Sequence, residues 1–348
     1  MRYDFVIVGS GVAGLSASFM LAERGYRVSL VGLPGLTSMV AGSSSGILTY
    51  HMREPFLSWA IRTAEIYESL GQMIVEKVDS VWFSTDLDFV RAVEVKLAEK
   101  GLRVRRDEEK ARELLGSYRS FEGEKALVAD AFRLRVKDLI DALTSRAVSA
   151  GVAILEGWGK VGDGGVYLKN ERIEGEVIVA AGAWAKEVLG LPGLIVYKCQ
   201  AARLGSPRLW SMVIDDVLDF YVNLFHDGTI AVGDGVNVVT ATPEDALWPD
   251  KALLEEIIER ARKRGIIGSY EVSRYVSAPC VGTRDTFPLV GELKEGLYVL
   301  TAFDGVGFSI APALAEALAD HLHRGTPLPP QVDPKRELEP GEPVEPVD

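Results

Sequence analysis

The chain has 348 residues, of which 47% are hydrophobic and 25% charged, a composition typical of a globular protein with more than one core. Its 50 acidic and 38 basic residues give a net charge of −12. Nucleic acid and anionic membranes need a basic surface, so this charge counts against both as the main partner.

The first part of the chain predicts a strand, a glycine turn, a helix and a second strand. Residues 4–8 are almost continuously apolar, as in a strand covered on both faces, and residues 13–24 carry apolar side chains at helical spacing. The second strand is RVSLV at 27–31, and the small polar residues at 37–45 predict a loop. A long amphipathic helix is expected at 55–77.

The elements after the middle of the chain change in character. Residues 135–150 predict a helix, and EVIVAAGAW at 176–184 predicts a buried strand that runs into a glycine turn. The segment DFYVNLFHDGTIAVGD at 219–234 predicts two alternating strands joined by a hairpin turn. Residues 297–325 return to strand, glycine turn and helix, and the proline-rich, acidic residues 331–348 predict an irregular tail.

The N-terminal sequence and the two cysteines indicate the cellular compartment. The opening MRYDFVIVGSGVAGL lacks the long apolar region of a secretory signal, and no run of about 18 apolar residues is present, so we expect a cytoplasmic protein. Cys199 and Cys280 are far apart in sequence. A reducing compartment is their simplest interpretation, with a disulfide still possible. Asn and Gln total six residues, which weakly indicates a thermophilic source.

Three glycines follow the first strand at the G-x-G-x-x-G spacing of dinucleotide-binding proteins: Gly9, Gly11 and Gly14. Gly9 permits the tight turn, Gly11 lets the backbone approach a pyrophosphate, and Gly14 lets helix and strand pack closely. The helix that starts at Val12 and Ala13 then directs its N-terminus at the phosphates. Since a buried strand precedes the motif and a helix follows it, the motif predicts a dinucleotide site.

The second strand ends in Gly32, where such sites place an acid that binds the adenosine ribose. No arginine or lysine follows before Arg53, so the 2′-phosphate of NADP is not favoured. FAD tolerates the loss of the acid best, because several polar groups share its adenosine half. The predicted replacements are the hydroxyl groups of the next segment, on Thr37, Ser38, Ser43, Ser44 and Ser45.

Four stretches resemble the FAD-dependent D-amino acid oxidase superfamily, which includes glycine oxidase, sarcosine oxidase and dye-linked amino acid dehydrogenases. They are DFVIVGSGVAGLSASFMLAERGYRVSLV at 4–31, AGSSSGIL at 41–48, VIVAAGAWAKEVLGL at 177–191 and TRDTFPLVGELKEGLYVLTAFDGVGFSIAPALAEALADHL at 283–322. The resemblance implies an α/β fold, α+β overall, in which a Rossmann-like FAD-binding domain is interleaved with a substrate domain built on an antiparallel sheet.

The resemblance also implies where the domains divide. The FAD-binding domain is expected to comprise residues 1–75, 136–195 and 281–330. The substrate domain is expected to comprise residues 76–135 and 196–280, with its sheet covering the flavin ring.

The resemblance further implies FAD as the cofactor, held noncovalently because no histidine lies in the first strand, turn and helix. The turn before the closing helix is expected to stabilise negative charge on the reduced flavin through its N–H groups and the helix dipole. The implied reaction is oxidation of a carbon–nitrogen bond by hydride transfer to flavin N5, after which water hydrolyses the imine, and no metal site is expected. The implied FAD contacts beyond the first motif are Gly46, Ala181, Gly182, Trp184, Asp304, Gly305, Val306, Gly307 and Phe308, together with the serines named above.

Substrate recognition departs from the family pattern. Many members place an arginine two residues before a Gly-Thr pair to bind a substrate carboxylate, and this chain has Cys280 there. A histidine and a glycine common in the last glycine turn are replaced by Phe303 and Asp304, while Arg284 falls elsewhere and is expected to pair with an acid. The candidate substrate residues are Tyr221, with Asn223 and Phe225 on the same strand face, and His51, Arg53, Arg203 and Asp304.

The leading hypothesis is an FAD-dependent dehydrogenase or oxidase acting on a D-amino acid, a glycine-like or a cyclic imino acid. Two others stay open: a tRNA-modification-type oxidoreductase acting on a carboxymethylated nucleoside amine, and a noncatalytic FAD-binding subunit of a larger complex. The net charge counts against tRNA. The substrate either turns its carboxylate toward Tyr221 and one of Arg203 and Arg53, or it is an amine drawn to Asp304. Oxygen, a quinone or a dye can accept the electrons, and a homo-oligomer is compatible with the sequence.

Overall fold

The fold is taken from a computed structural model of the whole chain. The structure describes residues 1–71, 74–205, 209, 211–225, 227–234 and 238–339, without the side chains of Ser38 and Met39. His226, in the predicted hairpin turn, and residues 340–348 of the predicted tail lie outside the described residues.

The elements alternate irregularly along the chain. The strands are, in chain order, β1 (Arg2–Val8), β2 (Val28–Gly32), β3 (Ile47–Leu48), β4 (Val75–Ser84), β5 (Val104–Arg106), β6 (Lys125–Leu134), β7 (Ala153–Glu156), β8 (Lys160–Gly162), β9 (Gly165–Leu168), β10 (Glu171–Val179), β11 (Ile195–Gly205), β12 (Met212–Asp215), β13 (Phe220–Leu224), β14 (Ile230–Gly233), β15 (Val238–Val239), β16 (Glu271–Gly282), β17 (Leu289–Lys294) and β18 (Leu297–Thr301). The α-helices are α1 (Val12–Glu23), α2 (Pro34–Ser43), α3 (Phe56–Glu68), α4 (Leu87–Ala98), α5 (Glu108–Leu115), α6 (Val136–Ser149), α7 (Ala185–Leu189), α8 (Lys251–Arg264) and α9 (Gly307–Arg324). Short 3₁₀ helices lie at Gly182–Trp184, Asp245–Leu247 and Pro330–Val332.

The first sheet is mainly parallel, with the strand order β17–β18–β10–β1–β2–β7. β1 has β10 and β2 as parallel neighbours, and β18 runs parallel to β10. β17 is antiparallel to β18, while β9 and β8 extend the sheet as antiparallel strands from β10. Because β1, β2, β10 and β18 are parallel, the turns that follow them meet at one edge of the sheet.

The second sheet has the order β15–β11–β14–β13–β12–β4–β6–β3, with β16 paired to β11 and β5 to β6. Its pairs are antiparallel except for β4 and β12, which are parallel, so the prediction of an antiparallel sheet is wrong at this pair. α5 and α8 cover one face, where Val213 and Val222 pack against Ile257 and Ile258. Ile214 and Tyr221, on the opposite face, line a large cavity.

The main core lies between the first sheet and the helices α1, α3, α6 and α9. Leu15, Phe19 and Leu21 of α1 are buried against Leu314 and Leu318 of α9 in this core. A separate core on the other face of the first sheet is built mainly from valines, with leucines and alanines between them. The sheet is therefore covered on both faces, as the apolar sequences of its strands predict.

Two predicted elements in the first part of the chain differ from the structure. Residues 34–43 form α2, not a loop, because Pro34 occupies the first turn of the helix and α2 packs against α6. The helix predicted at 55–77 ends at Glu68, and Gly71 has a φ of +130°, which stops a helix and precedes β4. The other strands and helices named from the sequence are present with small shifts in their ends.

The tail that was predicted to be irregular is tightly held as far as residue 339. Arg336 donates hydrogen bonds to both carboxylate oxygens of Asp285, at 2.8 and 2.9 Å, and to the carbonyl oxygens of Phe287 and Pro288 at 2.6 and 3.1 Å. Arg284 pairs with Glu339, as an acid partner was expected for it. The C-terminal segment therefore holds the loop between β16 and β17.

No helix within the described residues is long and apolar enough to cross a membrane. The compartment and the domain limits drawn from the sequence stay predictions.

Candidate active site

A cavity of about 970 Å³ is lined by residues of both sheets. It includes the turns that follow β1, β2, β10 and β18, together with parts of β11, β12, β13 and β16. The edge of the first sheet thus opens onto the face of the second sheet that carries Ile214 and Tyr221.

The glycine turn after β1 leaves open space at the N-terminus of α1. A Cβ atom on Gly9 would lie 2.1 Å from the carbonyl oxygen of Ala180, and one on Gly14 would lie 1.9 Å from the carbonyl oxygen of Gly9. Gly14 thus packs helix against strand and does not line the cavity. Within the described residues, no atom other than those of its chain neighbours and its own helix lies within 4 Å of a Cβ on Gly11, so an anion can approach the backbone there. The other cavity-lining residues of this turn are Ser10, Val12 and Ala13.

The end of β2 has no acid because a serine fills the space beside it. A Cβ atom on Gly32 would lie 2.4 Å from Oγ, 2.6 Å from Cβ and 2.9 Å from the nitrogen of Ser10. Ser10 Oγ lies 2.7 Å from Thr37 Oγ1, and both residues line the cavity, as does the half-exposed Trp158. Two hydroxyl groups therefore stand at the end of the cavity where a carboxylate was expected.

The serines after Thr37 divide into two groups. Ser43, Ser44 and Ser45 line the cavity at the end of α2, whereas the side chain of Ser38 lies outside the described part of the chain. Gly46 does not line the cavity, since a Cβ atom there would lie 2.8 Å from the carbonyl oxygen of Leu134. Gly46 thus allows β3 to approach β6.

The turn after β10 contributes the second glycine segment of the cavity. Ala181, Gly182 and Trp184 all line it. Trp184 Nε1 donates a hydrogen bond of 2.9 Å to Glu244 Oε1, which fixes the indole against the second sheet. No atom lies within 4 Å of a Cβ on Gly182, so the backbone is accessible from the cavity at this turn as well.

The turn before α9 brings a carboxylate into the cavity. Asp304, Gly305, Val306, Gly307 and Phe308 all line it, and Asp304 adopts a left-handed conformation with φ of +48°. The Tyr197 hydroxyl donates a hydrogen bond to Asp304 Oδ1. Burial raises the pKa of Asp304 to about 6, against the opposing effect of the Tyr197 hydrogen bond. The pKa of this carboxyl group therefore lies well above the range of an exposed aspartate.

Cys199 and Cys280 form a disulfide in the wall of the cavity, so the structure has the bond that the sequence left open. Their Cα atoms are 5.8 Å apart, and the bond runs diagonally between β11 and β16, where Tyr197 is paired with Cys280 and Cys199 with Ala278. The position where family members place a carboxylate-binding arginine thus holds a disulfide sulfur.

His51 lies in the wall of the cavity nearest β4. Its Nε2 atom is 3.0 Å from Asp216 Oδ2, and its ring meets Trp82 and Phe89 edge to face, with centroids 4.9 Å apart in each case. His51 and Asp216 both line the cavity. The histidine ring is therefore fixed by a carboxylate and two aromatic rings.

Arg53 lines the same wall and is half-exposed. Its Nη2 atom lies 2.8 Å from Asp86 Oδ2, and its guanidinium carbon lies 5.0 Å from the centroid of Phe89. Asp86 also accepts a hydrogen bond from the Phe89 N–H at the start of α4. Among the described residues that line the cavity, Arg53 is the arginine and Lys198 the lysine.

Tyr221 and Asn223 share the predicted face of β13, and both contact Ser45. The Tyr221 hydroxyl interacts with the Ser45 side chain, and Asn223 Nδ2 donates to the Ser45 carbonyl oxygen. Burial raises the pKa of Tyr221 to about 12. Tyr221 lines the cavity and therefore presents a neutral, protonated hydroxyl group there.

Arg203 does not line the cavity, so the structure does not bring it together with Tyr221. Its guanidinium carbon lies 3.4 Å from the centroid of Phe225, and Nη1 lies 3.8 Å from Asp227 Oδ2. Phe225 follows the last residue of β13 and also lies outside the cavity lining. The aromatic ring and Asp227 satisfy this arginine away from the site.

The cavity residues that the sequence did not predict include Ser10, Trp158, Tyr197 and Asp216. Ser10 stands inside the glycine motif, where a contact with the end of β2 could have been inferred. Tyr197 meets Asp304 across 107 residues and Asp216 meets His51 across 165, so neither pair has a local signal.

The residues present fit FAD. The accessible backbone at Gly11 and the N-terminus of α1 suit a diphosphate, and the hydroxyl groups of Ser10 and Thr37 suit a ribose. The cavity extends from these groups to the turn before α9 and the open face of β13. An elongated cofactor can therefore be held along its length.

Comparison with known proteins also indicates FAD as the cofactor. The family model described as FAD dependent oxidoreductase matches residues 4–321. A D-amino-acid oxidase of Rubrobacter xylanophilus is 27% identical over 266 residues, which are 73% of this chain and 75% of that protein. An uncharacterized oxidoreductase of Bacillus subtilis is 22% identical over 91% of this chain and 94% of its own length.

Solved structures of similar fold include two amino acid oxidoreductases. L-proline dehydrogenase of P. horikoshii superposes with a TM-score of 0.83 at 20% identity, over 96% of this chain and 97% of that chain. Glycine oxidase of Bacillus cereus gives 0.76 at 19% identity, over 98% and 99%. At these identities the likeness shows the fold, and it confirms the predicted fold class. Because the family model spans most of the sequence, the chain belongs to the DAO family and is an FAD-dependent oxidoreductase.

Proposed function

We propose that this oxidoreductase oxidises the carbon–nitrogen bond of an amino acid or imino acid of the D-amino acid, glycine-like or proline-like class. The observation that carries the proposal is that a guanidinium group, on Arg53, and a carboxylate, on Asp304, both line the cavity that contains the glycine turns. An amino acid carries the two complementary charges. The names of the similar proteins support the same substrate class.

FAD, when bound, supplies the hydride acceptor. The turn from Gly9 to Ala13 would hold its diphosphate, and Ser10 and Thr37 its adenosine ribose. The N–H groups that begin α9, from Gly305 to Phe308, would lie beside the flavin and favour negative charge there. Ser43, Ser44, Ser45, Ala181 and Gly182 would line the rest of the cofactor.

Arg53 is the residue that we propose for the substrate carboxylate. It lines the cavity, whereas Arg203 is held by Phe225 and Asp227 outside it. A guanidinium group can bind a carboxylate through two parallel hydrogen bonds, and Arg53 can exchange Asp86 for the substrate at the half-exposed wall. Tyr221 would donate a further hydrogen bond from its protonated hydroxyl.

Asp304 and Tyr197 would receive the substrate nitrogen. Above a pH of about 6 the Asp304 carboxylate is charged and attracts an ammonium group. The hydrogen bond from Tyr197 keeps the carboxylate oriented in the cavity. Asp304 would thus orient the carbon–nitrogen bond, and the oxidation itself needs no protein nucleophile.

The test is an anaerobic spectral screen of the purified yellow protein against D- and L-amino acids, proline, sarcosine and simple amines. Bleaching of the flavin by an amino or imino acid is the expected result. Bleaching by amines alone would replace the carboxylate model with the amine model. No bleaching by any of them, with FAD bound, would support the noncatalytic subunit or a nucleoside substrate and would contradict the proposal.

A further inference from the structure

We propose that the Cys199–Cys280 disulfide is a second two-electron centre of this enzyme, which exchanges electrons with the bound flavin. The inference rests on the FAD position proposed above and adds an activity to it, since the electrons of the flavin could pass to sulfur as well as to an external acceptor.

The position of the disulfide is the first support. Both cysteines line the cavity, and both are only partly buried. Cys199 Sγ lies 3.3 Å from the position that a Cβ on Gly305 would occupy, so the sulfur contacts the turn that begins α9. This is the turn that we assign to the flavin, and a larger residue than glycine there would press on the disulfide.

The second support is that the native strand pairing does not depend on the bond. β11 and β16 are paired along the whole of β11, from Ile195 opposite Gly282 to Gly205 opposite Glu271. The disulfide therefore links two strands that already share a continuous ladder, and they can stay paired when it opens. A purely structural disulfide would stabilise the fold more if it joined segments that share no backbone hydrogen bonds.

The surroundings also suit the reduced form. The disulfide lies at the N-terminal end of α9, an 18-residue helix, where the partial positive charge stabilises a thiolate. Tyr197 precedes Cys199 by two residues on the same face of β11, and its hydroxyl donates to Asp304. The Asp304 carboxyl group, in its protonated form, can give a proton to sulfur.

The proposed step is balanced. The S–S bond accepts two electrons and one proton from the anionic reduced flavin and a second proton from Asp304, which solvent reprotonates. The bond breaks, and Cys199 and Cys280 become thiols while the flavin returns to its oxidised form. A soluble disulfide can then reoxidise the pair by thiol–disulfide exchange, which makes a low-molecular-weight disulfide the class of acceptor at this site.

The experiment is an anaerobic titration of the FAD-loaded protein with dithionite, followed by alkylation and intact-mass measurement. Dithionite reduces the flavin without an amino acid, so the result does not depend on the proposed substrate. We expect uptake of four electrons per FAD and two alkylated thiols per chain. The double variant Cys199→Ser with Cys280→Ser should take up two electrons and carry no alkyl group.

Three further measurements keep the inference open to contradiction. The single variants Cys199→Ser and Cys280→Ser should each take up two electrons, which covers the case of a double variant that fails to fold. The apoprotein under the same dithionite should keep its disulfide. Intact disulfide beside fully reduced flavin, equal thiol release from apoprotein, or two free thiols in the oxidised protein would each overturn the proposal and leave the amino acid reaction unaffected.

Discussion

Ser10 Oγ lies 2.7 Å from Thr37 Oγ1, in the space that a side chain on Gly32 would have to enter. The hydroxyl pair explains why the end of β2 can lack the acid that similar sites use. For the same reason, an acid introduced at Gly32 should weaken the binding of FAD and not strengthen it.

Gly32→Glu is expected to weaken FAD binding. The new Cβ would lie 2.6 Å from Ser10 Cβ, and such overpacking costs about 1–3 kcal/mol, or roughly a 5- to 150-fold rise in the dissociation constant. Gly35→Glu is the matched control, since Gly35 is exposed in α2 and its Cβ would meet no atom within 4 Å. Fluorescence titration of the apoproteins with FAD measures both. Tighter binding by Gly32→Glu would show that the hydroxyl pair does not fill the ribose site.

Arg53→Ala is expected to lower kcat/KM on the best substrate of the screen by more than about tenfold, chiefly through KM. The reason is the loss of a charge-assisted hydrogen bond, which contributes about 1.5–3 kcal/mol. Arg203→Ala, which removes an arginine outside the cavity lining, is expected to stay within about twofold of the parent. If Arg53→Ala keeps its activity while Asp304→Ala loses more than about tenfold, the amine model holds.

Asp304 is expected to make the folded protein less stable as the pH rises. A carboxyl group whose pKa is raised to about 6 keeps a proton that the unfolded chain releases, so the free energy of unfolding declines between about pH 4 and pH 6. A shift from 3.8 to about 6 corresponds to a decline on the order of 3 kcal/mol. Urea unfolding across this range should show it for the parent and not for Asp304→Asn.

Tyr197→Phe is a second control, because it should raise the pKa of the Asp304 carboxyl group further and not remove its titration. Because the Tyr197 hydrogen bond lowers the pKa of Asp304, its removal should move the decline to higher pH. Parallel stability curves for the parent, Asp304→Asn and Tyr197→Phe would mean that the Asp304 carboxyl group is not perturbed by its site.

Arg336→Ala is expected to destabilise the protein by about 1–3 kcal/mol, because it removes two hydrogen bonds to the exposed carboxylate of Asp285 and those to the carbonyl oxygens of Phe287 and Pro288. Lys335→Ala is the adjacent control: Lys335 forms an exposed ion pair of 3.2 Å with Glu292, which contributes about 0–1 kcal/mol. Urea unfolding of the FAD-loaded proteins distinguishes them. Equal midpoints for the two variants would contradict a special role for Arg336.

Acid precipitation is expected to release all the yellow colour into the supernatant. Both cysteines are used in the disulfide, so in the oxidised protein neither sulfur is available for a bond to flavin. Colour that stays with the denatured pellet would contradict noncovalent binding.

The sequence predicted the parts of this protein that depend on local pattern. β1, α1 and β2 follow from apolar periodicity and from glycines whose side chains would collide with Ala180 and Gly9. α2 was missed because its small polar residues have little helical preference, and its packing on α6 decides the conformation. Tyr197 beside Asp304 could not be foreseen, since the contact requires the two sheets to be placed against each other.

Arg203 shows what the two-residue period of a strand cannot predict. It lies on β11 at the register of Ala231 and Arg274, and other residues of β11 and β16 line the cavity. Period two gives the face of a strand, but it does not say how far along that strand the cavity extends. Phe225 and Asp227, just beyond β13, capture this arginine before the cavity is reached.

Arg336, which donates hydrogen bonds to Asp285 and Phe287, is synthesised after every element that lines the cavity. A ribosome delivers β1, α1 and β2 first, yet β18, α9 and the loop fixed by Arg336 are delivered last, and all of them line or support one cavity. During synthesis the nascent chain therefore exposes a glycine turn without the walls that retain a flavin. We therefore expect cofactor loading to be a late event that follows the synthesis of β18, α9 and the segment with residue 336.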